Sequence, residues 1–198
     1  DLYGTVRLAD LHANAQRRFK QGRYDDAMAR LYRAYEYLVQ IRLMTKFGIN
    51  TSTVTYAEVE GMALCQTTLD RLRRRVNNNG DGKLKPGLRE GIELLAELQD
   101  PVGEYLVRQY WSEDWKPQKT YKEAAAGKLQ TWLKARNDSY LAHGTKTIDR
   151  GIVRNLLDLY ANTLKIVIAP EQYRQMTETA TFLKLPANRR AVSLPSVE

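Results

Sequence analysis

Apolar residues recur along most of the chain at intervals of three and four, the spacing that gathers side chains on one face of a helix. Leu8, Leu11, Ala15 and Phe19 form the first stripe and predict a helix over about residues 7–21, ended by Gly22. Ala27, Leu31, Ala34, Tyr35, Leu38 and Ile41 form the second, over about 24–46, before Phe47 and Gly48. Val59, Met62, Leu69, Leu72 and Val76 place a third over about 55–76, and Asn77 to Gly82 then read as a turn. Ile92, Leu95, Leu98, Val102 and Leu106 mark a fourth region over about 87–110, which Pro101 breaks or kinks. Trp111 to Lys119 reads as a loop. Thr120 and Glu123 have the spacing of a capping box and open a further helix that Gly144 ends. Ile152, Val153, Leu156, Tyr160, Leu164 and Val167 predict the last, over about 148–168, with Pro170 beyond it. Residues 183–198 show little periodicity and read as a weakly ordered tail behind a domain over 1–182. No stretch alternates with the period of a strand. The expectation is an all-α bundle of five to six helices.

Composition narrows the setting. Of the 198 residues, 31 are Lys or Arg and 23 Asp or Glu, a net charge of +8 that favours anionic partners such as RNA or DNA. A single cysteine, Cys65, rules out an internal disulfide and makes a reducing cytoplasm the expected location. It has no second cysteine or nearby histidine, which argues against a metal site or a thiol nucleophile. No apolar run approaches the roughly 20 residues that cross a bilayer, so no membrane partner is expected. The chain opens on Asp1 with no secretory pattern and no initiator methionine, and reads as a piece of a longer protein or a trimmed chain.

Several local motifs dissolve on inspection. Asn77, Asn79, Asp81 and Gly82 sit at calcium-loop positions, but Leu88 stands where a bidentate glutamate is needed, so no metal is expected. Phe19 to Ala27 resembles the hinge of a tetratricopeptide repeat, yet no second copy follows. Arg71, Arg73, Arg74 and Arg75 form one basic cluster and Arg17, Arg18, Lys20 and Arg23 another; such runs are more often solvated faces than nucleic-acid contacts. Trp111 and Trp115 suit base stacking or, more commonly, a lid on the core. His12 has no evident partner. Glu36 reads equally as a solvated acid or as a core-facing partner for a buried cation such as Arg136.

One segment, Arg136-Asn137-Asp138-Ser139-Tyr140-Leu141-Ala142-His143-Gly144, carries candidate chemistry. His143 stands seven positions after Arg136, about 20° short of two helical turns, so both share a face with Leu129, Leu133 and Tyr140. An arginine almost never loses its proton, and within an apolar stripe it needs a partner or a pocket. A fixed cation beside a proton-transfer group suits a phosphate. A histidine near a helix C-terminus equally suits a cap on free carbonyls.

This run resembles the arginine–histidine signature of HEPN ribonuclease domains, in which a polar residue such as Asn137 follows the arginine and four to six residues precede the histidine. More narrowly, Arg136-Asn137, Ser139 and Ala142-His143-Gly144, with the Arg23 to Ala27 entry to the second helix, are similar to the HEPN half of the CARF–HEPN ribonucleases of type III CRISPR systems. The resemblance spans about residues 7–168. It implies a metal-independent endoribonuclease of CRISPR antiviral defence, acting on single-stranded RNA at the interface of a homodimer, without a cofactor. The Leu129, Leu133 and Tyr140 stripe is then expected to form the dimer seam. It also implies a preceding CARF sensor for cyclic oligoadenylate, whose α/β pattern this chain lacks. In the implied site Arg136 holds the phosphate, His143 moves the proton, and Asn137 orients His143 or binds a phosphate oxygen. Glu36, Ser139 and Tyr140 are expected to bind or orient substrate. Two other readings remain: a silent dimerisation or RNA-binding module, and the HEPN toxin of a toxin–antitoxin pair.

Overall fold

The computed structural model describes residues 2–111, 116, 126–138 and 147–180. Among them are nine helices: α1 (Leu2–Lys20), α2 (Tyr24–Phe47), α3 (Tyr56–Glu60), α4 (Gln66–Asn79), α5 (Leu88–Glu97), α6 (Pro101–Tyr110), α7 (Lys128–Asn137), α8 (Arg150–Val167) and α9 (Pro170–Ala180). Among the described residues the one strand-like pairing is an isolated bridge between Thr55 and Lys83. The all-α expectation holds, with more and shorter helices than the hydrophobic stripes suggested.

α2 is the central post. Its inward face, Ala27, Met28, Leu31, Ala34, Tyr35, Leu38 and Leu43, is shut off from solvent. It packs against α1, α5, α7 and α8. Two tyrosines lock its crossing with α8. Tyr35 donates to the Leu156 carbonyl at 3.2 Å, and Tyr160 donates back to the Ala34 carbonyl at 3.4 Å. The two rings meet edge to face at 5.0 Å. Each phenol therefore buries its ring and still satisfies its hydroxyl. Gly48 ends α2 in the left-handed conformation, φ 70°, with its N–H turned back to the helix carbonyls.

The region expected as one helix over 55–76 is two. Thr55 caps α3 through a box with Glu58, and the short segment 61–65 breaks the run before α4. α4 then continues through Asn79 to Gly80, so the turn starts three residues later than the asparagines suggested. Over 87–110 the expected break is present. Asp100 accepts from the Val102 and Gly103 N–H groups, Pro101 opens α6, and Arg42 of α2 pairs with the same carboxylate. α5 and α6 lie so close that a Cβ on Gly103 would sit 2.3 Å from the Ala96 nitrogen. α9 was not anticipated; Pro170 begins it instead of marking an end.

The expected helix starting at Thr120 is corrected. Residues 126–127 are not helical, and Gly127 is extended (φ −83°, ψ 176°) as the N-cap of α7. Its N–H donates to the Tyr110 carbonyl at 2.8 Å, and a Cβ there would lie 2.4 Å from the Gln109 oxygen. The start of α7 is thereby clamped to the end of α6. Thr120, Glu123 and Gly144, like the tail over 183–198, lie outside the described residues.

Candidate functional site

α7 carries the site. Leu129 and Leu133 bury one face of this helix against the core. That turns the neighbouring face, Gln130, Lys134 and Asn137, toward a cleft of about 690 Å³. Arg136 lies beside this face. Its Cζ stands 4.6 Å from the centroid of the Tyr32 ring on α2, and its Nη1 donates to Asn137 Oδ1 at 3.1 Å. The stacked ring and the amide hold the guanidinium in place while leaving its charge intact. Burial raises the Tyr32 phenol, the Glu36 carboxylate adds to that rise, and Arg136 pulls against it. The ring under the cation thus stays neutral.

Tyr32 and Asn137 both line the cleft, which makes its wall continuous with the Arg136 platform. Across from α7, Arg75 of α4 and Arg89 and Glu90 of α5 close it. Arg75 pairs with Glu90 and also donates to the Lys85 carbonyl at 3.0 Å. With Lys134, the described residues of the lining include three cations and one carboxylate, a balance suited to a polyanion.

The basic cluster of α4 is not a simple solvated run. Arg71 lies 2.9 Å from Glu93, Arg75 pairs with Glu90, and Arg73 lies 3.0 Å from Glu60 with its Cζ over the Tyr56 ring. The α5 acids explain why: a buried carboxylate needs a cation, and α4 supplies it. Glu93 also accepts from the Trp111 indole N–H at 2.9 Å, which makes Trp111 a core residue and not a platform for bases. Arg71 approaches Glu93 Oε2 closely but off the hydrogen-bonding direction, so burial still raises the Glu93 carboxyl against the pull of Arg71 and Arg89. In the other cluster, Arg18 and Arg23 converge on Asp26 at 3.1 and 3.4 Å, where Arg30 of α2 joins them at 2.9 Å.

For Glu36 the structure favours the solvated alternative, and one expectation about α7 is corrected. Glu36 takes Arg33 of its own helix as ion-pair partner, at 3.2 Å, and its side chain is 28% exposed; it reaches the Arg136 site through Tyr32. Leu129 and Leu133 are spent on the chain's own core, so they are not free to form a dimer seam. His143, Ser139 and Tyr140 lie outside the described residues, as does Trp115. His12, given no role from sequence, is buried beside Tyr160. Tyr32, Gln130 and Lys134 were missed. Gln130, Lys134 and Asn137 do follow helical spacing, and that one-sided polar stripe beside Leu133 was the available signal.

The comparisons with known proteins bear on the same stretch. A family model described as the Csm6 HEPN domain matches residues 3–166. The chain belongs to that family. No curated protein and no solved structure matches it. HEPN domains are generally ribonucleases, and at the level of the family this Csm6-type chain is a CRISPR-associated HEPN ribonuclease domain. The resemblance drawn from the arginine–histidine run is thereby confirmed for the family. Among the described residues no helix is long and apolar enough to cross a membrane.

Proposed function

We propose that this HEPN domain cleaves single-stranded RNA without a metal, through Arg136, Asn137 and His143, in a cleft completed by a second copy of the chain. The observation that carries the reading is the Arg136 guanidinium, stacked on Tyr32 and bonded to Asn137 at the edge of a cationic cleft. RNA brings its own nucleophile, the 2′-hydroxyl. His143 takes the 2′-hydroxyl proton as the oxygen attacks phosphorus. Arg136 and Asn137 stabilise the added charge on the phosphoryl oxygens. The bond from phosphorus to the 5′-oxygen then breaks, and the histidine of the second copy protonates that oxygen. The products are a 2′,3′-cyclic phosphate and a 5′-hydroxyl. Because Leu129 and Leu133 are buried, the pairing surface runs along the exposed side of α7, not along its apolar stripe. In the whole protein a sensor domain for cyclic oligoadenylate gates this site in antiviral defence within the cytoplasm.

The test is a mixed-sequence fluorescent RNA incubated with the chain in EDTA, beside Arg136→Ala and His143→Ala. Each substitution is expected to slow cleavage at least about 100-fold while circular dichroism stays unchanged. Cleavage that requires added metal, or variants as fast as wild type, would overturn the mechanism. RNA binding without cleavage, in this chain and in the full-length protein, would favour a silent binding module.

A further inference from the structure

The cleft beside Arg136 has a floor and a rim of different chemistry. Gln130 reaches it from α7, one turn before Lys134 and two before Asn137. Its Oε1 is buried and meets no hydrogen-bond donor among the described residues. A buried acceptor without a donor is a standing cost that a ligand donor relieves. The terminal torsion of glutamine is broad, so the amide can turn into the cleft. Lys134 is exposed at the rim, a point charge on a flexible stem. Tyr32 and Tyr110 add aromatic surface, and burial raises both phenols, so both rings are neutral. The volume is within the range of small-molecule sites.

We propose that this cleft is the subsite for the nucleotide next to the scissile phosphate, with Lys134 on a backbone phosphate and the Gln130 amide on the edge of an adenine. A primary amide matches the donor and acceptor pair at adenine N6 and N7, where guanine offers two acceptors. The large aromatic walls favour a purine over a pyrimidine. The inference rests on the ribonuclease reading, because the phosphate it places is the one beside Arg136.

Binding tests it apart from cleavage. Five-nucleotide 2′-O-methyl RNAs, all uridine or with a central A, G or C, have no free nucleophile and are followed by fluorescence anisotropy. Wild type is expected to hold the adenine oligomer about tenfold more tightly than the others. Gln130→Leu removes that preference. Gln130→Glu keeps the acceptor but repels N7, and it removes most of the preference too. Lys134→Gln weakens every oligomer alike and reduces the salt slope by about 0.7, one phosphate contact on a single strand. No adenine preference in wild type, or a preference that survives in a folded Gln130 variant, overturns the subsite. Cleavage of ordinary RNA without adenine preference leaves the ribonuclease reading standing and sinks the subsite. Adenine-selective binding without cleavage does the reverse.

Discussion

Acidification from pH 7 to pH 5 weakens this fold through His12. The imidazole is 2% exposed on α1, its ring centroid 5.3 Å from that of Tyr160 and its Nε2 3.5 Å from the Gln16 amide. Burial lowers its pKa from 6.5 to about 4, against upward pulls from the Leu157 backbone and the Asp158 carboxylate. In the unfolded chain the ring titrates near 6.5. Between those values the unfolded state holds a proton that the folded state refuses, so stability falls as the pH drops through the window. Above it both states are neutral, and below it both are charged. The whole window is worth about 3 kcal/mol, and the part from pH 7 to pH 5 about 2 kcal/mol. For a chain of this size that lowers Tm by about 4–8 °C. The assay is urea unfolding by circular dichroism at both pH values, for wild type and His12→Gln. The variant lacks the titrating ring, so wild type should lose about 2 kcal/mol more than the variant does. Parallel losses in the two proteins would refute the reasoning, because the buried ring would then accept its proton without penalty.

Two further predictions address the core around the site. Glu93→Ala removes the ion-pair partner of the Arg71 guanidinium and the acceptor of the Trp111 indole N–H, and is expected to cost about 3–5 kcal/mol in urea unfolding. A loss below about 1 kcal/mol would show that the pair contributes little. Leu133→Ala opens a cavity under the cleft and is expected to cost about 2–5 kcal/mol while leaving the mass in light scattering unchanged. A change in mass without loss of stability would return Leu133 to a dimer seam.

The residues and their spacing settled the class of fold, the course of α1, α2 and α8, and the family. Those helices are long and carry apolar residues at helical spacing, and Gly48 and Pro101 act through their own backbone limits, so neighbours are not needed to read them. Arg136 and Asn137 were legible as neighbours in a motif, since adjacency in the chain needs no fold to establish it, but their mutual hydrogen bond was not. Tertiary structure alone decided what surrounds the pair. Only packing of α7 on α2 places Tyr32 under the guanidinium, and only the clamp of Gly127 on Tyr110 sets where α7 begins. Glu36 prefers Arg33 because an ion pair one turn away on the same helix forms with no tertiary cost, whereas a partner on α7 depends on how two helices cross. The stripe of Leu129 and Leu133 reads the same whether a chain or its partner covers it. Periodicity reports which face is apolar, and burial against a particular neighbour is a property of the assembled core.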